Sequence, residues 1–455
     1  MIKEYFFRKI GLFVLELICI THISFFCERY QFKVLFFSYA LAFSVYFYFL
    51  KILKTSDTKA VIVFGVVARF IAVFALPHLS DDFYRFFWDG NLTLHGINVY
   101  AFKPNDLQTW LSSQNDAVKY AYYKMNSPNY NSVYPPIAQS IFDFSVFISP
   151  KNIYFATVVI KLFNFLAECG TLLFLYKLHQ KVNTKAIFIY ALNPFIIIEL
   201  CANAHTEALM IFFFTIALYY LQKVTIRSKY LVLSSLLLSF SVASKIFSVL
   251  FSLSFAQALS VKRGIVFLII FSTSCVIIFI PFFQTLITPS LWNNSLGLYF
   301  GKFEFNASVF YLLKYFGAWQ FGFDVIHVVT PILMSIFLVF AFILHLNKSF
   351  YGTDLKTFSR ACLMLFYAYI VCSTTVHPWY LAFPVLFAAL GGYYFPLIHS
   401  FLIVLTYAGY TQGSSKSSEN LWFVLIEYGV VLIVFIIEVF QNRQSNLATI
   451  KRGTN

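Results

Sequence analysis

The chain has 455 residues, a formal net charge of +14, 60% hydrophobic and 21% aromatic residues, 11% charged residues and a mean hydropathy of +0.75. A soluble core cannot hide so much apolar surface, so the composition excludes an ordinary soluble protein and predicts an all-α polytopic membrane protein. The positive charge does not point to nucleic acid, because the lysines and arginines fall mostly in short connectors between apolar runs, as cytoplasmic loops require.

The N-terminus reads MIKEYFFRKIGLF, basic and then apolar with no small-residue cleavage site after it, and predicts a retained first span. Apolar runs follow at 9–27, 34–53, 60–79, 152–177, 186–202, 206–222, 230–244, 246–260, 264–283, 324–347, 359–376, 379–392, 394–410 and 420–441. They predict roughly twelve to fourteen crossings in a single membrane domain, several only just long enough to span. Lys3, Arg8 and Lys9, then Lys51, Lys54 and Lys59, place the N-terminus and the second connector inside, which sends the loop 79–135 outside. By the same rule Lys177 to Lys185, Lys223 to Lys229, Lys262 with Arg263, Lys348 to Arg360 and the Lys451 tail lie inside. That assignment requires the apolar segment 135–149 to be a short re-entrant or interfacial helix, and 307–318 raises the same question. Trp88, Trp110, Trp292, Trp319 and Trp379 fall at predicted outer edges, where an indole buries its ring and keeps its N–H wet. Seven cysteines lie scattered through apolar segments without metal-ligand spacing and read as packing residues. Asn91, Asn293 and Asn306 open N-x-S/T sequons, a pattern common by chance.

Carboxylates are scarce, which makes the stretch LSDDFYRFFWDGNLTLHGINVYAFKP from Leu79 to Pro104 the most informative in the chain. If Ser80 caps a helix, Asp81 and Asp82 fall in its first turn, and Asp82, Arg85, Phe86 and Asp89 share one face. Capping explains the first two carboxylates but neither Arg85 nor Asp89, so a reaction site at the membrane edge is the better reading. Asn203, His205 and Glu207 gather at an outer turn between two apolar runs and suit sugar hydroxyls or a phosphate. Lys245 interrupts the apolar run 230–260; a turn there brings its ammonium to the outer face and to an anion, with a snorkelling lysine as the plainer alternative. His377 and Tyr380 start a helix beside Pro378 and Trp379. Arg69, and Lys161 with Glu168 seven residues on, lie deep in spans and read as structural ion pairing.

The run SDDFYRFFWDG, with Gly96-Ile97-Asn98-Val99-Tyr100 and Lys103-Pro104, resembles the first outer loop of the GT-C superfamily of membrane glycosyltransferases, most closely its polyprenol-phosphate-mannose-dependent mannosyltransferases. Tyr134-Pro135-Pro136, Asn193-Pro194 with Glu199, Asn203-Ala204-His205-Thr206-Glu207, Ala243-Ser244-Lys245 and His377-Pro378-Trp379-Tyr380 extend the likeness from about residue 60 to 385. Val99 replaces a usual proline and Glu207 a frequent aspartate. The resemblance implies inverting transfer of a hexose, mannose by likeness, from a polyprenyl-phosphate-linked donor to a hydroxyl of a glycan or glycolipid. The reaction would take place on the outer face of a bacterial inner membrane. It implies Asp82 as general base with Asp81 its neighbour. The substrate-binding set is then Arg85, Asp89, Tyr134, Asn203, His205, Glu207, Lys245, His377 and Tyr380, with Arg85, Lys245 and His377 facing the departing phosphate. Asp81, Asp82 and Asp89 are hard oxygen ligands that leave a divalent metal open at a spacing diagnostic of none. A transporter or flippase of a lipid-linked glycan is the rival from another class and would carry repeat symmetry, which the chain does not show. A glycan polymerase or ligase would share the loop chemistry and differ in acceptor.

Overall fold

The computed structural model describes residues 2–179, 185–283, 303–322, 325–347, 354–411 and 419–453, with single residues between 287 and 297; Lys181, Trp292, Asn293 and Lys348 lie outside them, as does the side chain of Lys451. The fold is helical throughout, as the composition predicts. The helices are α1 (Ile2–Phe26), α2 (Phe32–Ile52), α3 (Thr58–Val73), α4 (Asp82–Leu94), α5 (Asp116–Lys124), α6 (Pro136–Ile148), α7 (Ile153–His179), α8 (Ala186–Ala191), α9 (Pro194–Ala202), α10 (Glu207–Leu221), α11 (Lys229–Ser244), α12 (Ile246–Gln257) and α13 (Val261–Ile278). They continue as α14 (Val309–Phe321), α15 (Ile326–Leu346), α16 (Leu355–Cys372), α17 (Pro378–Gly391), α18 (Phe395–Gly409) and α19 (Leu421–Gly453).

The apolar runs sit where the sequence places them, but fewer of them cross alone. Among the described residues seven helices are long and apolar enough to span a membrane, or eight with the bent pair α9 and α10 as one span. Of the twelve to fourteen expected crossings, several runs are cut by helix breakers into shorter helices. Asn193-Pro194 separates α8 from α9, α9 and α10 meet at 116°, and Lys245 divides α11 from α12. Segment 135–149 forms α6, whose 13 residues reach about 20 Å and fall short of a hydrocarbon core of roughly 30 Å. Segment 307–318 is likewise short, as α14 of 13 residues.

Three contacts hold one end of the bundle. Lys9 pairs with Asp57 at 2.6 Å, Lys185 Nζ donates to the Leu50 carbonyl at 2.7 Å, and Glu438 accepts the Tyr394 and Phe395 amides at 2.8 Å at the start of α18. The basic connectors at 51–59 and at Lys185 thus share an end, as a single cytoplasmic side requires. Midway, Arg69 Nε meets Glu168 at 2.9 Å, with Tyr190 donating to the other carboxylate oxygen at 2.7 Å, all of it buried. The expected pairing of Lys161 with Glu168 is therefore corrected. Glu168 turns to Arg69 on α3, whose planar fork also reaches the Gly65 and Ala191 carbonyls, and Lys161 donates to the Ala75 carbonyl.

The loop between α3 and α6 is packed rather than slack. Phe87, Trp88, Leu92, Val99, Tyr100, Leu111 and Val118 form a core of their own. α5 starts on Asn115, whose Oδ1 accepts from Ala117 and Val118 at 3.0 and 3.2 Å. Trp88 is fully buried, edge-on to Trp110 at 5.3 Å, so it is a core residue and not the wet interfacial anchor that its position suggests. α4 and α6 touch backbone to backbone at Gly90, where an added Cβ would lie 2.6 Å from the Phe142 carbonyl oxygen.

Candidate active site

Asp82 is the first residue of α4, with its own amide on the Ser80 hydroxyl at 3.3 Å. Its carboxylate is half-buried and accepts two hydrogen bonds: from the Tyr134 hydroxyl to Oδ2 at 3.1 Å and from Asn126 Nδ2 to Oδ1 at 3.3 Å. Tyr134 is placed by the proline step behind it, since Pro135 and Pro136 fix an extended approach and the first turn of α6. Lys245 Nζ lies over the Tyr134 ring, 5.3 Å from its centre. Lys245 has extended backbone, φ −160° and ψ 131°, in the break between α11 and α12, so its side chain leaves the apolar run at the predicted turn and pairs with Glu207 at 3.0 Å. The ammonium keeps 17% exposure whereas Glu207, at the start of α10, is fully enclosed. Its second oxygen has no hydrogen-bond partner among the described residues.

The bend between α9 and α10 supplies the next wall. Ala204 takes a left-handed φ of 64°, which β-carbon sterics disfavour, and this turns His205 inward. Asn203 Oδ1 accepts the Leu79 amide at 3.4 Å, and its Nδ2 donates to Glu199 at the same distance. Glu199 also takes the Tyr407 hydroxyl at 3.1 Å and lies 3.4 Å from His205 Nε2. His205 stacks on Trp379 at 3.8 Å, Trp379 on His377 at 4.6 Å, and His377 on Phe305 at 5.1 Å, forming one continuous pile of rings. Tyr380 meets His377 edge-on at 5.5 Å and Phe247 at 4.5 Å. Burial, and then the neighbouring Lys245 charge, hold the His377 imidazole down at about 3, so it is neutral at physiological pH.

The remaining sequence candidates point elsewhere. Arg85 is buried, with Nε on Asp89 at 2.7 Å and Nη1 on the Ser127 and Tyr130 carbonyls at 2.9 and 3.0 Å. Asp89 accepts in addition from Ser132 at 2.6 Å and Gln139 at 3.0 Å. Arg85 and Asp89 therefore tie α4 to the returning loop strand and to α6. Asp81 pairs with Arg29 in the turn between α1 and α2, and burial raises its carboxyl above the usual range against the pull of that guanidinium. Asp81, Asp82 and Asp89 thus face three separate partner sets. Among the described residues no group of three or more His, Cys, Asp or Glu side chains could hold a metal ion. The sequons at Asn91 and Asn306 are buried, with Asn91 Nδ2 on the Phe87 carbonyl at 2.8 Å, so neither presents a free amide for a glycan.

Sequence reasoning missed Arg29, Asn126 and Tyr407, and read Trp379 only as an anchor. Arg29 had a signal, a cation in a turn that the charge distribution predicts to lie outside, against the positive-inside trend. Asn126 and Tyr407 had none, because only the fold brings them to Asp82 and Glu199.

The assembled group is a half-buried carboxylate with two hydrogen-bond donors, a partly exposed ammonium one ring away, and a wall of polar and aromatic side chains, all drawn from loop and helix-end segments. Such an arrangement suits proton abstraction beside a site for an anion. A family model for the MptA_B family, alpha-(1->6)-mannopyranosyltransferase, N-terminal domain, matches residues 33–261, which include Asp82, Tyr134, Glu207 and Lys245 but neither Arg29 nor His377. No curated protein and no solved structure matches the chain. Since that match covers just over half of the sequence, this integral membrane protein belongs to the MptA_B family and is a mannosyltransferase.

Proposed function

We propose that the protein transfers a mannosyl group from a polyprenyl-phosphate-linked donor to a hydroxyl of a glycan or glycolipid on the outer face of the membrane, with inversion and with Asp82 as general base. The observation that carries this reading is the Asp82, Tyr134, Lys245 and Glu207 chain, a base at the hydroxyl and a cation over the ring of one tyrosine. In a single displacement the acceptor oxygen attacks the anomeric carbon while the bond from that carbon to the phosphate oxygen breaks. The hydroxyl proton passes to Asp82, and the bond pair leaves on the lipid phosphate. An anion forming at that point is stabilised by a preplaced cation. Lys245 is suited to the task because its ammonium retains exposure, whereas the Arg85 guanidinium is committed to Asp89 and two carbonyls. Neutral His377, with Tyr380, Asn203 and His205, then meets the substrate as hydrogen-bonding and stacking groups rather than as charges, while Glu207 pairs with Lys245.

A lipid-linked donor fits a chain whose reactive groups all sit at helix ends and in the loop between α3 and α6. The test is donor discrimination with the purified protein in detergent or nanodiscs. Polyprenyl-phosphate mannose should support transfer to a mannosyl glycolipid, and a nucleotide-linked mannose should not. Transfer from the sugar nucleotide alone would overturn the reading.

A further inference from the structure

The turn between α1 and α2 reaches the catalytic end of the molecule at one point. Arg29 pairs with Asp81, both side chains mostly buried, and its guanidinium lies over the ring of Tyr410, 4.7 Å from the centre. One residue earlier, Glu28 meets His78 Nδ1 at 2.8 Å, so two successive residues of the turn grip the chain just before α4. Tyr410 ends α18, one turn beyond the Tyr407 that donates to Glu199. A single guanidinium thus joins the N-terminal hairpin, the first turn of α4 and the C-terminal half of the chain. Neither Arg29 nor Tyr410 lies in the segment matched by the family model.

We propose that Arg29 is a positioning residue for the transfer reaction, holding Asp81 away from Asp82 so that Asp82 alone faces the acceptor. This rests on the reading of Asp82 as the base. Two adjacent carboxylates that lose water cannot both stay charged unless one is compensated, and without compensation they share a proton. Arg29 supplies the compensation through an ion pair, and the Tyr410 ring fixes the plane of the guanidinium. The other titratable groups around Asp81 are Asp82, Lys124 of α5, Tyr84 of α4, Tyr410, and the Glu28 and His78 pair. Among the described residues, Arg29 is the cation in contact with the Asp81 carboxylate. Lys124 acts from a distance, over Tyr120 at 5.7 Å.

The experiment is a set of pH–rate profiles of kcat on the full-length protein in nanodiscs, for wild type, Arg29→Gln, Arg29→Lys, Asp81→Asn and the double variant Arg29→Gln/Asp81→Asn, with Asp82→Asn as control. Losing the cation leaves the aspartate pair binding a proton more readily, so Arg29→Gln should move the acid limb to higher pH by about one unit or more. At a fixed pH on that limb kcat should fall up to about tenfold, with the plateau above the limb and the acceptor KM kept. Asp81→Asn should move the limb the other way, Arg29→Lys should restore much of the wild-type profile, and the double variant should return close to it. A merely structural clasp would lower all rates without moving the limb, and would not be relieved by removing Asp81. If Asp82→Asn is inactive and Arg29→Gln keeps the wild-type acid limb, the proposal fails while the base assignment stands. An active Asp82→Asn would remove the base assignment itself. Should Arg29→Gln not fold, Tyr410→Leu, which frees the guanidinium plane but keeps the charge, should give a smaller shift in the same direction, and no shift there would contradict the proposal.

Discussion

Of the cation–carboxylate pairs near Asp82, Arg85 with Asp89 and Lys245 with Glu207 are built in opposite ways. Arg85 and Asp89 are spaced i, i+4 on one helix, buried, and nearly saturated with partners: two carbonyls on the cation, and Ser132 and Gln139 on the carboxylate. Lys245 and Glu207 come from different helices, the cation stays partly exposed, and the carboxylate keeps an oxygen without a partner among the described residues. The Arg85 pair, although Nη2 has no hydrogen-bond partner among the described residues, is closed off from solvent and acts as a brace, whereas a pair whose cation stays partly exposed can change partners during a reaction. In the linear sequence Arg85 looks the better phosphate ligand, being three residues from the base. Local spacing cannot reveal that the loop folds back and occupies it.

The largest effect expected on the closed side of that comparison is for Arg85→Ala, which leaves the Asp89 charge buried and unpaired. Breaking a buried pair on one side costs about 3–5 kcal/mol. Limited proteolysis from the outer face should then cut within residues 95–131, and near-ultraviolet dichroism should lose the signal of the Trp88 and Trp110 pair. An intact loop with selectively weakened phosphate binding would move Arg85 to the open side.

On the open side, Lys245→Gln should leave the proteolytic pattern unchanged and weaken binding of polyprenyl phosphate, with or without its sugar, by about 10-fold to 100-fold. That range corresponds to one charge-assisted hydrogen bond of about 1.5–3 kcal/mol. Isothermal titration with the free lipid phosphate measures it, and wild-type affinity would identify Lys245 as a snorkelling structural residue. Gly90→Ala sharpens the closed side with no change of charge. The new methyl meets the Phe142 carbonyl, and overpacking of this kind costs about 1–3 kcal/mol, read as a lower unfolding temperature with the affinity for lipid phosphate unchanged. Glu207→Gln should be the mildest, keeping shape and a contact to Lys245 while weakening its hold, with a severalfold change in donor KM.

Fold class and the limits of the apolar segments were legible because a bilayer constrains the backbone so strongly: α2, α7, α13, α15 and α16 lie within a few residues of the runs that announce them. The breaks were half legible. Lys245 declared itself as a costly charge in an apolar run, while the 116° bend at Asn203 to Thr206 depends on a left-handed alanine that no composition rule would select. Within the candidate site, Asp82, Tyr134, Lys245 and Glu207 come together in space from four separate motifs, Tyr134 itself lying 52 positions from Asp82. The partner of Asp81 was hidden because Arg29 lies 52 positions away, and a cation against the charge trend signals a role without naming its partner. Trp88 misled because an indole at a span edge and an indole in a small loop core have the same sequence neighbours.

The most direct test of the central claim is single-turnover transfer by purified Asp82→Asn with polyprenyl-phosphate mannose and a mannosyl acceptor, measured beside binding of the donor. The amide keeps the shape and the Tyr134 contact but cannot take the acceptor proton. The account predicts a rate at least about 100-fold below wild type with donor affinity unchanged within about twofold. Transfer at more than about a tenth of the wild-type rate would show that another group removes the proton, and Asp82 would not be the base.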